Sequence, residues 1–307
     1  MSSYIFTHSV ISPLTLKPQS SIIVSMNRVD AARRAQVISA LVEGNSLRST
    51  SRMTGVAINT VVKLLLDAGE ACADYQDRVM RNLKCQRFQC DEIWQYVYCK
   101  QKQVTPEISS TRVAGDTWTW TAIDAETKLV PCWMVGQRDA SAARDFMEDL
   151  SGRLTNRVQL TTDGLKAYLT AVETAFGSNI DYATLVKLYG VPEGTEKRYS
   201  PAVCIGCESH VITGAPDPAH INTSYVERQN LSKRMGMRRF TRLTNAFSKK
   251  LENHAAAIAL YFMYYNFARI HKTLRCSPAM AAGVDSRLWE IADIVAMVDS
   301  YHAKKSN

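Results

Sequence analysis

The sequence predicts an α/β fold preceded by a small helical domain. Between residues 28 and 66, apolar side chains recur at the spacings typical of amphipathic helices. After about residue 84 the pattern changes to the alternation typical of strands, and strands and helices then follow one another. A hydrophobic content of 46% with 21% charged residues is that of a folded globular protein, which excludes a largely disordered chain.

The charge of the chain favours a polyanionic partner. The formal net charge is +8, and nucleic acid is the simplest partner for such a surplus of cations. No run approaches the roughly 20 consecutive apolar residues of a membrane span, and the first 25 residues do not match a signal peptide. The 8 cysteines are scattered, unlike those of a small disulfide-bonded protein. We therefore expect a cytoplasmic protein with reduced thiols and no membrane partner.

The first quarter of the chain predicts a flexible arm, residues 1–25, and a helix-turn-helix domain with its linker, residues 26–84. Three helical patterns are separated by Gly44 and by a tight turn around Gly55. DNA-binding helix-turn-helix domains have this arrangement, and so do helical bundles that pack against another part of a protein. In the DNA-binding interpretation, the third helix faces DNA with Asn59, Thr60 and Lys63.

Residues 85–284 predict the α/β domain. Three strands, near residues 88–98, 117–124 and 128–135, form an antiparallel meander. A helix, a fourth strand, a second helix and a further strand up to Tyr189 follow in order.

The last third of the chain predicts one loop and several helices. Residues 190–221 are rich in Pro, Gly and Ser, which is typical of an inserted loop. A basic helix follows, then a long apolar helix over about residues 245–268. Residues 285–307 predict a C-terminal helix that packs against the core.

Three acidic residues stand at positions suited to chemistry. Asp91 lies within the first strand, Asp163 follows the fourth strand, and Glu227 begins the basic helix. Ligands of α/β proteins gather at the ends of strands, and a charge in a half-buried strand is costly unless it is paired or binds a metal. Carboxylates that converge without His or Cys suit a hard cation such as Mg²⁺, which supports displacement at phosphorus.

Each acid also has an ordinary structural interpretation. Asp163 and Gly164 together are typical of a turn. Ser224 and Glu227 match the S-x-x-E capping box, which closes the first turn of a helix. Asp91 is followed by Glu92, and alternation alone does not tell which of the two faces the functional side of the sheet.

The basic helix predicts contact with phosphates. Residues 231–250 contain seven Lys or Arg and no acid, and such cations position DNA without reading its sequence. A solvated basic face is the alternative. The side chains that we expect to contact DNA here are Arg228, Asn230, Lys233, Arg234, Arg238, Arg239 and Arg242.

The Cys204-Ile-Gly-Cys207 motif raises the question of a zinc site. His210 and His220 follow it and could complete the ligands. The spacing of the second pair is irregular, however, so a loop without metal is the favoured interpretation.

Five segments together carry a family resemblance. They are D-E-I-W-Q-Y-V from Asp91, T-T-D-G from Thr161, S-Y-V-E-R-Q-N-L from Ser224, R-R-F-T-R-L-T-N-A-F-S-K-K from Arg238, and F-A-R-I-H-K-T-L-R-C-S-P-A-M-A-A-G from Phe267. In this order, over roughly residues 88–284, the chain resembles bacterial transposases of the insertion-sequence-one family, within the Asp-Asp-Glu transposase group.

The resemblance implies a ribonuclease-H-like core, a mixed sheet flanked by helices. It implies a catalytic and metal-binding triad of Asp91, Asp163 and Glu227 with two Mg²⁺ ions, for which Mn²⁺ can substitute. The partners would be double-stranded DNA at transposon ends and at the target, and a homo-oligomer would assemble on it, at the bacterial nucleoid. Two features depart from the family: no zinc-finger-like cysteine set precedes the helix-turn-helix, and the span from Asp163 to Glu227 is long.

These observations lead to one main hypothesis and two alternatives. The main hypothesis is a transposase that cleaves transposon ends and joins their 3′-hydroxyls to target DNA. The first alternative is a catalytically inactive helix-turn-helix regulator derived from a transposase. The second is a structure-specific nuclease with the same core, which would hydrolyse DNA without joining it.

Overall fold

A computed structural model of the protein describes residues 29–190, 203–241 and 245–306. The predicted arm, residues 1–25, and Arg242 lie outside the described residues. Among the described residues, no helix combines the length and the apolar character that crossing a membrane requires.

Three helices form the N-terminal part: α1 (Ala31–Val42), α2 (Leu47–Thr54) and α3 (Ile58–Val79). The Asp30 carboxylate caps α1 by accepting a hydrogen bond from the Arg33 amide, and Ser46 caps α2 in the same way. Gly55 ends α2 with a φ of 67°, a left-handed conformation that glycine adopts without strain. Whether these helices bind DNA as a helix-turn-helix stays a prediction.

The second half of α3 packs into the main core. Gly69 lies so close to α8 (Leu251–Met263) that a Cβ at this position would be 2.4 Å from the Ala256 Cα. The Gln76 amide also donates to the Ala259 carbonyl at 3.1 Å. The two helices therefore cross at backbone contact, which a larger residue at position 69 would prevent.

A six-stranded mixed sheet forms the centre of the molecule. Its strands are β1 (Arg87–Val97), β2 (Gly115–Asp124), β3 (Cys132–Gly136), β4 (Val158–Thr162), β5 (Ile180–Gly190) and β6 (Val203–Thr213), in the order β3-β2-β1-β4-β5-β6. The β1–β4 and β4–β5 pairs are parallel, and the other pairs are antiparallel. The predicted α/β class is confirmed, and the mixed sheet is consistent with a ribonuclease-H-like domain.

Helices cover both faces of this sheet. On one face, the Trp120 ring contacts Phe146 of α5 (Ala140–Ser151) and Tyr168 of α6 (Ala167–Phe176). On the other, Trp133 stacks on Phe262 of α8, and α7 (Ser224–Gly236) lies against β1 and β2. The remaining helices are α4 (Pro106–Thr111), α9 (Pro278–Ala281) and α10 (Ile291–Ser306).

The segment predicted as a loop over residues 190–221 contains a strand. β6 pairs antiparallel with β5, and beyond Thr184, among the strands that the structure describes, β6 alone pairs with β5, because β4 ends at Thr162. β6 is mostly exposed, so its sequence lacks the apolar alternation that identifies a half-buried strand. Backbone hydrogen bonds to β5 define this strand. The Pro, Gly and Ser content of the segment led to the prediction of a loop instead.

The long apolar helix predicted over residues 245–268 is α8, continued by a π-helical turn, Tyr264–Ala268. Asn266 lies in this turn, where it is buried and exchanges hydrogen bonds of 3.0 Å with the backbone of Val130. The wider turn thus aims a polar side chain at the loop before β3.

Candidate active site

The candidate active site lies beside two parallel strands of unequal length, where β4 ends and its neighbour β1 continues. β4 pairs with β1 only as far as Thr162, which is opposite Cys90. From Asp91 onward, β2 is the one named strand that pairs with β1 in the described sheet, and a single bridge joins Val97 to Ser248 near the end of β1, so the edge left by β4 is open at Asp91. Asp163 follows β4 directly at this edge. The fold therefore brings acidic residues of β1 and of the segment after β4 to one place, as expected at the carboxyl ends of parallel strands.

Three carboxylates converge there. One ligand oxygen each from Asp91, Glu92 and Asp163 lies within 4.8 Å of the other two. Within the described ranges, this is the one group of three or more His, Cys, Asp or Glu side chains that could hold a metal ion. We call these three residues the carboxylate cluster.

Asp91 is held from the α7 side of the sheet. Its Oδ2 accepts a hydrogen bond of 2.6 Å from Asn230 Nδ2, and its Oδ1 accepts one of 2.8 Å from the Glu92 amide. Asn230 is buried, so its amide group has a fixed partner rather than a free choice of rotamers. The orientation of Asp91 is therefore set by α7.

Glu92 reaches the same place from the opposite face. Its carboxylate accepts hydrogen bonds from Arg138 Nε at 2.6 Å and from the Tyr168 hydroxyl at 3.1 Å. The sequence did not decide between Asp91 and Glu92 as the acid on the functional side. Both contribute, because at an open strand edge the side chains of the two faces can approach each other.

The turn at Asp163 and its place in the cluster are compatible. Asp163 Oδ1 accepts a 3.0 Å hydrogen bond from the Leu165 amide, as an Asx turn does. The same carboxylate lies 3.7 Å from Arg138 Nη2. The turn therefore fixes the carboxylate through Oδ1, while Oδ2 faces Arg138.

Glu227 lies near the carboxylate cluster and outside it. Its carboxylate accepts hydrogen bonds from the Lys187 ammonium on β5 and from the Thr223 hydroxyl. The structure thus brings Asp91 and Asp163 together and leaves the third predicted acid in an ion pair. The capping box proposed as its alternative role is absent, because Thr223 is the N-cap and the Ser224 hydroxyl donates to Asn222.

All four acids line one open cavity of about 940 Å³. Trp94 and Trp118 form one part of its wall, and Tyr189 of β5 lines it as well. Cationic side chains also face the cavity, namely Arg138, Lys166, Lys187 and Arg234. A wide cavity lined by both carboxylates and cations suits a large phosphate-bearing substrate.

The carboxylates of the cluster repel one another. Burial, and then the charge of Asp163, raise the pKa of Asp91 to about 6. Burial and the charges of Asp163 and Asp91 raise the pKa of Glu92 to about 7, against the opposing effect of Arg138. Burial also raises the pKa of Asp163. A cation would relieve this repulsion, and an all-oxygen donor set fits a hard divalent ion.

Two of the predicted DNA contacts are directed into the protein. Lys233 is fully buried, and its ammonium donates to the Thr121 hydroxyl at 2.8 Å. Burial lowers the pKa of Lys233 to about 7. The ammonium of Lys233 therefore has its partner inside the protein in this structure, and its contact with DNA stays a prediction. Asn230, the second of the two, is occupied by Asp91.

The other predicted contacts divide by exposure. Arg228 and Arg238 are exposed, Arg234 is half-buried at the cavity, and Arg239 is half-buried and donates to the Ser248 hydroxyl at 2.7 Å. On α3, Asn59 is exposed and Thr60 half-buried, and the exposed Lys63 pairs with Asp67 at 2.6 Å. Their contact with DNA stays a prediction.

Three important neighbours of the site were missed from the sequence. Glu92 was named only as an alternative to Asp91, and Lys187 and Arg138 were not considered. The D-E pair in β1 was a usable signal for Glu92. Lys187 and Arg138 had none, because their roles depend on which strands and loops are neighbours.

The chain matches a family model described as a DDE domain, of transposases of the IS240 type, over residues 111–189. This range is about a quarter of the chain and contains Asp163, whereas Asp91 and Glu227 lie outside it. No curated protein matches the chain at a significant level. The match therefore supports a DDE transposase without assigning the insertion-sequence-one family.

Proposed function

We propose that the protein is a DNA transposase of the insertion-sequence-one type, which cleaves transposon ends and joins their 3′-hydroxyls to target DNA. The observation that carries the proposal is the carboxylate cluster at the open edge beyond β4, in a chain that matches a DDE domain. Such an enzyme acts on DNA of the bacterial nucleoid.

Asp91, Asp163 and Glu227 are the residues that we assign to metal binding and catalysis. Their oxygen donors fit two Mg²⁺ ions, or Mn²⁺ in their place, and Glu92 adds a fourth carboxylate at the same point. Bound there, the ions would activate the attacking hydroxyl or water and offset charge on the leaving oxygen.

The protein residues around the triad have separate tasks in this proposal. Asn230 holds Asp91 in its orientation, and Arg138 holds Glu92 beside Asp163. Glu227 would hold the metal together with the other acids once its ion pair with Lys187 opens, and the Lys187 ammonium would then be available to the phosphates of the DNA.

The cations of the basic helix position the DNA. We assign phosphate contacts to Arg228, Arg234, Arg238 and Arg239, which lie at or near the surface on the segment that carries Glu227. Recognition of the transposon end is assigned to Asn59, Thr60 and Lys63, within residues 26–84. Because two ends must be joined, we expect the chain to work as a homo-oligomer on DNA.

One observation favours the second candidate function, an inactive DNA-binding regulator. The ion pair between Lys187 and Glu227 keeps the third acid out of the cluster. A regulator would retain this pair when DNA is bound, whereas an enzyme must open it.

The test is an incubation of the protein with Mg²⁺ or Mn²⁺, a labelled DNA end from the flanking sequence, and a plasmid target. A transposase joins the label to the plasmid. Hydrolysis of the end without joining would identify a nuclease. Specific binding without any cleavage, in either metal, would identify a regulator.

A further inference from the structure

The cysteines of the described chain fall into three classes by exposure. Cys72, Cys85, Cys90 and Cys132 are buried, and burial raises the pKa of each thiol, to about 12 for Cys85. Cys99 and Cys276 are half-buried. Cys204 and Cys207 on β6 are the two exposed cysteines among the described residues, so thiol chemistry with solutes is concentrated there.

A β-bulge brings these two thiols to the same face of β6. Residues three positions apart on a regular strand point to opposite faces. Here Cys207 is opposite Lys187 and Cys204 is opposite Tyr189, so two residues of β6 face the single residue Leu188 of β5. The extra residue resets the alternation, and the two Sγ atoms lie 4.0 Å apart.

The site has the freedom to close this gap. A disulfide needs a separation of about 2.05 Å, so the sulfurs must approach by roughly 2 Å. β6 is an edge strand, so its outer side has no strand neighbour in the described sheet. Gly206 lies between the cysteines and its backbone can adjust, since it has no Cβ. Small rotations of exposed side chains can therefore bring the sulfurs together.

A metal is a poorer fit for the same pair. Within the described residues, no third Cys, His, Asp or Glu joins Cys204 and Cys207 at metal-binding distance. His210 lies beside Glu208 instead, at 3.7 Å, and His220 beside Asp217, at 3.6 Å. Two thiolates alone leave half of a tetrahedral zinc site unfilled.

We propose that Cys204 and Cys207 are a modification site, a thiol pair that exchanges with low-molecular-weight disulfides to form a reversible intramolecular disulfide. One thiolate attacks the solute disulfide, forms a mixed disulfide and releases one thiolate. The second cysteine, deprotonated in its turn, attacks the sulfur of the first cysteine in this mixed disulfide, so the Cys204–Cys207 bond forms, the bond to the solute sulfur breaks and the second solute thiolate leaves. Two protein thiols are oxidised and one solute disulfide is reduced to two thiols, so atoms and electrons balance.

The pair lies beside the proposed active site, since its cross-strand neighbours Lys187 and Tyr189 line the cavity. Cys207 is the cross-strand partner of Lys187, whose ammonium holds Glu227. The loss of part of its hydration, and then its hydrogen bond with Cys204, raise the pKa of the exposed Cys207. Exchange is therefore faster in alkaline buffer, where more of the thiolate is present.

The experiment treats the full-length protein with oxidised glutathione at about pH 8.5, blocks the remaining thiols with N-ethylmaleimide, and maps the peptides by mass spectrometry. We expect the peptide with both cysteines to lose two hydrogens, to carry almost no glutathione, and to recover its thiols with dithiothreitol. Cys204→Ser should retain glutathione on Cys207 at about tenfold or more above the wild type, since the neighbouring thiol acts at millimolar effective concentration. Cys276→Ser, the control, should behave as the wild type.

Lasting glutathione on both cysteines of the wild type would overturn the proposal, because it would show that the pair does not close. Equal modification of Cys99 and Cys276 would overturn it too, since the pair would then have no special reactivity. The measurement needs no DNA and no divalent metal, so its outcome is independent of the proposed transposase activity.

Discussion

Lys187 on β5 donates a hydrogen bond to the Glu227 carboxylate on α7, and this carboxylate lies outside the cluster formed by Asp91, Glu92 and Asp163. The Glu227 carboxylate is nevertheless close enough to Asp91 for its charge to contribute to the raised pKa of Asp91. In the proposed mechanism, metal binding and release of Lys187 are therefore one coupled event.

Replacing Lys187 should strengthen binding of the divalent ion. In Lys187→Met, the ion pair with Glu227 is absent, so the Glu227 carboxylate can bind the metal without first breaking it. The Glu227 side chain is 40% exposed, and ion pairs of this kind contribute about 0.2–1 kcal/mol. We titrate Mn²⁺ and follow the electron paramagnetic resonance signal of the unbound ion. We expect the Mn²⁺ concentration at half-saturation to fall about 1.5- to fivefold. Lys63→Met, which removes a surface pair on α3, is the control, and an unchanged midpoint in Lys187→Met would refute the coupling.

Stabilisation by Mg²⁺ should depend on pH. The pKa values of Asp91 and Glu92 are raised to about 6 and about 7, so the metal-free protein loses stability as pH rises from the unfolded pKa values through this range. A bound cation offsets that loss. Thermal unfolding with saturating Mg²⁺ should therefore show a small rise in Tm at about pH 5 and a larger one at about pH 8. Equal rises at both pH values would contradict the assignment of these acids to the metal.

The buried Lys233 should have a pH effect on stability opposite to that of Asp91 and Glu92, so that its contribution improves as pH rises. Because burial lowers its pKa to about 7, the unfolded chain binds the proton more strongly, and the cost of the buried charge is present below about pH 7 and relieved as pH rises. Lys233→Met removes this cost. Its Tm relative to the wild type should be higher at about pH 6 than at about pH 9. A constant difference across this range would show that Lys233 does not titrate there.

The exposed cations of α7 should act on DNA through charge alone. We expect Arg228→Ala to weaken binding to all DNA sequences alike and to reduce the slope of log affinity against log salt by about one. Fluorescence anisotropy over a salt series measures both. Arg78→Ala, an exposed arginine on α3 paired with Asp74, serves as control. A loss confined to one sequence would instead place Arg228 in base recognition.

Much of the fold was predictable because its signals are local. β1 follows from alternating aromatic residues, and α1 and α2 follow from apolar spacing and from the glycines that follow them, Gly44 and Gly55. β6 was not predictable in the same way, because most of its side chains are exposed and its hydrogen bonds to β5 leave no sequence pattern. The burial of Lys233 was also hidden, since basic spacing on a helix does not show which face meets the sheet.

The candidate site was predictable in part for a related reason. A carboxylate within a strand, such as Asp91, or at the end of one, such as Asp163, is unusual, and both positions can be recognised from the sequence alone. The partners of these acids depend on tertiary neighbours. Asn230, Arg138 and Lys187 come from three separate elements, so their contacts appear only once β1, β4 and β5 are side by side.

The most direct test of the account is strand transfer by Asp163→Asn, beside Asp74→Asn as a matched surface control. The substitution keeps the shape of the side chain and the acceptor for the Leu165 amide, while it removes the charge that a metal needs. We expect Asp163→Asn to bind DNA nearly as the wild type does and to lose joined product by about 100-fold or more in Mg²⁺, with Asp74→Asn unaffected. Full joining activity in Asp163→Asn would contradict the account.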